Sequence, residues 1–165
     1  MPKNMIDDAI KAIKASSPTS SIYVGCDSVR FKKKVRNKTQ CFARYATVVV
    51  LHMDSSHGCK LFYKEDILPD YGRKTESLVN RLIQEATFAI EATQAIAPYI
   101  GDRQFEVHLD INAHEQHASN KAASQACGYV LGVTGINPKI KPDAFAAMFA
   151  ADRIANNKLR GQVHG

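Results

Sequence analysis

Ile22-Tyr23-Val24-Gly25-Cys26-Asp27-Ser28 is a short apolar, β-branched run that ends in an acid. Ser16 to Ser21 precede it and a basic segment follows, so it reads as a buried central strand. A carboxylate at the end of a core strand is costly to bury unless it binds a cation or is well hydrogen-bonded. Asp27 therefore asks for a partner, or else Asp27-Ser28 is an ordinary turn start, since both residue types favour turns.

On either side of this strand the pattern is regular. Met5 to Ala15 places Met5, Ile6, Ala9, Ile10 and Ile13 on one face, with Asp7 and Asp8 early and Lys11 and Lys14 late, as a packing helix prefers. After the strand, Arg30, Lys32, Lys33, Lys34, Arg36 and Lys38 crowd into nine residues before Gln40 to Met53 resumes a β-rich pattern. This predicts a hairpin with a basic tip. The tip is either a solvated turn that protects a sheet edge or an arm whose cations contact nucleic-acid phosphates. Ser55 to Gly58 reads as a turn and Cys59 to Ile67 as a third strand.

The 165 residues, 45% hydrophobic and without repeats, predict a single domain over 1–165: an N-terminal helix at 5–15, a core at 20–156 and a basic tail at 157–165. No apolar run approaches the roughly 18 residues that would span a bilayer. The N-terminus lacks the order of a secretion signal, which makes a soluble, cytoplasmic protein the expectation. Cys26, Cys41, Cys59 and Cys127 are scattered without zinc-type spacing and read as buried thiols. A net charge of +6 favours a polyanionic partner.

Three further acids stand out. Thr75 or Glu76 opens a long helix to about Ala97, and stepping 100° per residue sets Glu85 on its apolar stripe between Leu82 and Ala89. Gln104 to Asn112 alternates as a fourth strand that again ends in an acid, Asp110. Ala118 to Val133 is helical, Pro138 to Ile140 reads as a short fifth strand, and Asp143 opens a last helix from Ala144 to about Asn156, either as an ordinary N-cap or as part of a site. Asp152 lies on that helix's apolar stripe.

Three antiparallel strands followed by two parallel strands through crossover helices would make the first and fourth strands neighbours, so that Asp27 and Asp110 converge. Carboxylates gathered in one site raise each other's pKa unless a cation neutralises them. Such a cluster implies Mg²⁺ or Mn²⁺ on oxygen ligands. The chemistry best served is phosphodiester hydrolysis by two ions about 4 Å apart.

Tyr23-Val24-Gly25-Cys26-Asp27-Ser28, Gln84-Glu85-Ala86, His108-Leu109-Asp110-Ile111-Asn112 and Lys139-Ile140-Lys141-Pro142-Asp143-Ala144-Phe145-Ala146-Ala147 with Ala151-Asp152-Arg153 resemble the ribonuclease H-like superfamily, and more closely its YkuK-type bacterial and phage branch. The resemblance covers about residues 20 to 156. It implies the ribonuclease H fold, an α/β architecture with a mixed five-stranded sheet flanked by helices and here an extra N-terminal helix. It also implies a metal site of Asp27, Glu85, Asp110 and Asp143. On the nuclease reading the substrate is RNA/DNA hybrid, RNA or branched DNA. The chain departs from the family in carrying Asp27-Ser28 without an intervening glycine, and in placing Glu85 about two turns into its helix. That leaves Glu76 as a competitor for Glu85 and Asp152 for Asp143. His114 and His117, in the loop after Asp110, read as proton shuttles or as solvated loop residues. No Ser-His-Asp triad context or phosphate-binding glycine loop is present. The competing reading is a non-catalytic nucleic-acid-binding or protein-interaction module on the same fold.

Overall fold

The computed structural model describes residues 4–111, 118–150 and 153. Helix α1 (Met5–Ala15) is capped by Asn4, whose side chain accepts from the Ile6 N–H. Three antiparallel strands follow: β1 (Ser21–Val35), β2 (Lys38–His52) and β3 (Cys59–Pro69). Helix α2 (Lys74–Ile96) crosses back to β4 (Gln104–Leu109), and α3 (Ala118–Thr134) follows. The sheet order is β3-β2-β1-β4, with β4 parallel to β1, so β1 is central and buried from both sides over its first half.

The opening strand runs past the apolar septet to Val35. It can do so because β2 pairs with it over its whole length, and because Arg36 and Asn37 both adopt positive φ, closing a two-residue hairpin whose twist matches the strands. The expected fifth strand is not formed. Pro138 to Ile140 is reduced to an isolated parallel bridge between Lys139 and His108, so among the described residues the sheet has four strands. Lys139 N–H donates to the Val107 carbonyl and Leu109 N–H to that of Lys139, each within 3 Å. The segment has the place of a fifth strand but not the length, because the chain turns at Pro142. The predicted extension of β4 to Asn112 also stops short, at Leu109.

Two apolar layers flank the sheet. Ile22, Val24, Cys26, Val49, Val107 and Leu109 face α1, α2 and α3 across the main core. On the other side a helical segment (residues 145–150) covers Ala46, Val48 and Val50 with Ala146 and Ala150. It crosses one row of the sheet, in which His108, Gly25, Val48 and Tyr63 are cross-strand partners. Contacts along the segment fall in that order: Ala146 on His108, Ala146 and Ala147 on Gly25, and Arg153 over the Tyr63 ring at 4.6 Å. Gly25 is required here, since a Cβ would lie 2.5 Å from the Ala147 nitrogen.

Candidate metal centre

β4 stops opposite Cys26, so from Asp27 onward β1 has lost its parallel neighbour. In open α/β sheets the crevice beyond the carboxyl ends of the strands is where ligands bind, and three acids converge there. Asp27 follows Gly25 on the face covered by the 145–150 segment, and Asp110 stands just past the end of β4, where the Ile111 N–H turns back to the Leu109 carbonyl. Their carboxyl groups are in side-chain hydrogen-bond contact. Ser28 points to the opposite face, where its Oγ donates to Glu85 Oε1 at 2.5 Å. Asp27 and Glu85 are 8% and 5% exposed, too little to be hydrated as free carboxylates.

The electrostatics follow from that crowding. Burial first and Asp110 second push the Asp27 carboxyl up to about 7. Burial and then Asp27 raise Glu85 well above the ordinary range, against the pull of Ser28 and Arg81. Lys141 Nζ stands 2.7 Å from Asp110 Oδ1 and draws Asp27 the other way.

Glu85 is held by a chain of polar groups on the α2 side. Arg81 Nη1 donates to Ser28 Oγ at 3.4 Å and its Nε to Ser77 Oγ at 3.3 Å, while Ser77 Oγ donates to buried Asp70 at 2.5 Å. Arg30 closes the chain with a 2.7 Å ion pair to Asp70 and a hydrogen bond to the Gly72 carbonyl. Arg30 is thus engaged in fixing the start of α2. Lys32, Lys33, Lys34, Arg36 and Lys38 are exposed on the hairpin.

The other candidates lie elsewhere. Glu76 sits in the first turn of α2, where it accepts from the Arg73 N–H in a capping box. Asp143 is exposed and lines a cavity of about 420 Å³ with Tyr23, Glu106, Lys139, Pro142 and Phe145. Tyr23 and Glu106 pair one step before the Gly25–His108 row, and Asp27 and Asp110 come after it. The structure thus brings Asp27 and Asp110 together with Glu85 nearby, and places Asp143 in the cavity that Tyr23 and Glu106 line. Asp152, His114 and His117 lie outside the described residues.

Sequence reading missed four participants. Ser77, Arg81 and Glu85 follow one another at spacings of four, a polar line along a helix face that the spacing does reveal. Lys141 and His108 gave no such signal. His108 is fully buried, its Nε2 2.8 Å from Glu106 and its Nδ1 accepting from the Ala146 N–H at 3.0 Å, so it holds down the start of the 145–150 segment. Burial lowers its pKa, which suits the neutral ring those two bonds require.

A family model for ribonuclease H-like proteins matches residues 4–156. The chain belongs to the ribonuclease H-like family. No curated protein and no solved structure gives a significant match. The family's mixed sheet flanked by helices, with a link to nucleic-acid chemistry in general, is what the four-stranded fold carries.

Whether the donors fit a divalent cation turns on the Asp27–Asp110 pair. Two carboxyl groups in contact, one of them pushed to about 7, are held together by a shared proton or by a cation between them. All the donors are hard oxygens, suited to Mg²⁺ or Mn²⁺. Among the described residues no set of three acids, histidines or cysteines closes into a metal-binding group, and Glu85 is bonded to Ser28. The pair fits the ion, and the third donor stands beside it.

Proposed function

We propose that this ribonuclease H-like chain is a divalent-metal-dependent nuclease acting on RNA/DNA hybrid or structured nucleic acid, with Mg²⁺ or Mn²⁺ held by Asp27 and Asp110 and with Glu85 as the third oxygen donor. The supporting observation is the contact of the Asp27 and Asp110 carboxyl groups in the crevice where β4 ends, with Asp27 raised to about 7. The resemblance of Lys139 to Ala147 and of His108 to Asn112 to the YkuK-type branch is in keeping with the same reading. A bound divalent ion supplies a nucleophilic water and neutralises charge on the phosphate. Asp27 and Asp110 fix the position of that charge, Ser28 and Arg81 hold the third acid beside it, and the exposed hairpin lysines attract the polyanion. The second ion of a two-ion mechanism needs a further acid, for which Asp143 and Asp152 are the candidates.

One observation favours the alternative, a non-catalytic nucleic-acid-binding module: Lys141 already brings an ammonium to Asp110, so a cation is present without any metal. A cleavage panel separates the two readings. It comprises RNA/DNA hybrid, single- and double-stranded RNA and DNA, and a four-way junction, with Mg²⁺ or Mn²⁺. Metal-dependent cutting that disappears in Asp110→Asn supports the nuclease; binding without cutting of any member supports the module.

A further inference from the structure

β3 ends at Pro69 opposite Phe42, and β4 ends opposite Cys26. Beyond Phe31 and Phe42 the hairpin is therefore a bare two-stranded ribbon. Its two faces differ. Lys32 and Lys34 continue the α2 face of β1, whereas Asp27, Val29, Phe31 and Lys33 share the face that carries the Asp27–Asp110 pair.

On this second face Phe31 and Phe42 are cross-strand partners with ring centroids 5.8 Å apart and planes at 26°, and the Arg44 guanidinium lies 5.3 Å from the Phe31 ring. Ile67, paired with Arg44, is 53% exposed on the same side. Both phenylalanines are only half-buried and belong to neither apolar core. Holding two strands of a ribbon together takes one cross-strand pair worth a few tenths of a kcal/mol to about 1 kcal/mol, and this does not explain why the rings open toward solvent beside an arginine and a lysine. Aromatic rings and cations along an open groove are the arrangement that binds unpaired nucleic acid, with bases on the rings and phosphates on the cations.

We propose that the Phe31–Phe42 face of the hairpin is a platform for single-stranded nucleic acid, which it leads to the carboxylates roughly 13 Å away along β1, four residues at a strand's rise. The proposal deepens the nuclease reading and rests on it for the fate of the strand. It assigns the substrate an unpaired stretch next to the point of cleavage, since paired bases present no free faces to the rings. Charge complementarity carries the choice of partner: Lys33 and Arg44 flank the rings, and Lys32, Lys33, Lys34, Arg36 and Lys38 are exposed on a hairpin whose sequence from Arg30 to Lys38 holds no acid.

The test is fluorescence anisotropy in EDTA with a labelled 15-nucleotide oligothymidine, an oligouridine of equal length and a blunt duplex of equal length. Single strands are expected to bind more tightly than the duplex. Phe31→Thr should weaken single-strand binding about tenfold, the loss of one stacked base, while sparing the duplex. Because Phe31→Thr also removes the cross-strand ring pair, Lys33→Glu and Lys34→Glu supply an independent comparison at exposed positions on opposite faces. Lys33→Glu should weaken binding several-fold more than Lys34→Glu. Tighter duplex binding, an unaffected Phe31→Thr, or equal losses from the two lysine variants would overturn the proposal. Cleavage is absent in EDTA, so a protein that binds single strands as described but cuts nothing with metal refutes the nuclease and leaves the platform standing; the reverse result refutes the platform alone.

Discussion

Asp27→Asn should make the metal-free protein more stable at pH 8, although it removes a residue at the centre of the site. The Asp27 carboxyl rises from 3.8 to about 7, roughly three units. At about 1.4 kcal/mol per unit, ionising it in the folded chain costs up to about 4 kcal/mol relative to the unfolded chain. The sign follows from proton binding: between pH 4 and 7 the folded state holds a proton that the unfolded state has released. Stability is therefore highest with Asp27 protonated and declines as pH rises through that window. An asparagine carries no charge, and its amide donates to Asp110 as the shared proton does. Part of the 4 kcal/mol reflects the neighbouring Asp110 charge, so a gain of about 2 kcal/mol at pH 8 is the expectation, or roughly 4–8 °C in Tm for a chain of this size. At pH 4.5, less than one unit above the unfolded value of 3.8, the gain should shrink to about a quarter of that. Mn²⁺ should raise the Tm of the unaltered protein and not of the variant, because an ion stabilises only the state that binds it. Thermal melts at the two pH values, with and without Mn²⁺, decide the matter. A lower Tm for the variant at pH 8, or an equal shift at both pH values, would refute the account of a crowded, ionised pair.

Gly25→Ala should cost about 1–3 kcal/mol or more in urea unfolding, because its methyl would meet the backbone of Ala146 and Ala147. His108→Ala should cost about 2–4 kcal/mol by the same measurement, through the hole left and the loss of partners to the Ala146 N–H and Glu106. Because burial lowers the His108 pKa, the unaltered protein should lose stability as pH falls below about 6.5, the unfolded value, with a step that His108→Ala lacks. Lys141→Met withdraws the charge that draws Asp27 down, so the pH midpoint for Mn²⁺-dependent cleavage should move upward; an unchanged profile would remove Lys141 from the site.

How much of this was legible in the sequence depended on the range of the interactions. The strand-ending acids Asp27 and Asp110 and the stripe acid Glu85 were visible because alternation and the 100° step are local properties. The run of cations gave the hairpin, but not its length: nothing in Lys32-Lys33-Lys34 marks a strand, and it is the continuous pairing with β2 that extends β1 to Val35. The fifth strand failed for the opposite reason. Pro138 to Ile140 has the pattern, but Pro142 turns the chain before a ladder can form. The partners of the acids are tertiary. Lys141 meets Asp110 and Ser28 meets Glu85 across 31 and 57 positions, distances at which no periodicity operates.

The same geometry explains why the acids tolerate their crowding. β4 ends one residue before Asp110, which leaves Asp27 and Asp110 facing an opening where a continued strand would have sealed them between two layers. Each wall of that opening is pinned from its own side. On the helix side Ser77, Arg81 and Ser28 fix Glu85, and on the other His108 and Gly25 let the 145–150 segment sit directly on the sheet. A site whose carboxylates still repel beside the Lys141 ammonium needs such rigid walls, because two repelling carboxylates on a compliant frame would separate and hydrate. Loosening one wall should then show in the acid it holds: Ser28→Ala removes the hydroxyl that draws the Glu85 carboxyl down and fixes its position, so it is expected to raise the pH at which Glu85 ionises and to weaken Mn²⁺ binding in the same variant. NMR titration of the carboxyl groups reads the first effect and calorimetry the second, and a variant in which tighter Mn²⁺ binding accompanies the raised ionisation would show that the walls oppose the ion rather than hold its place.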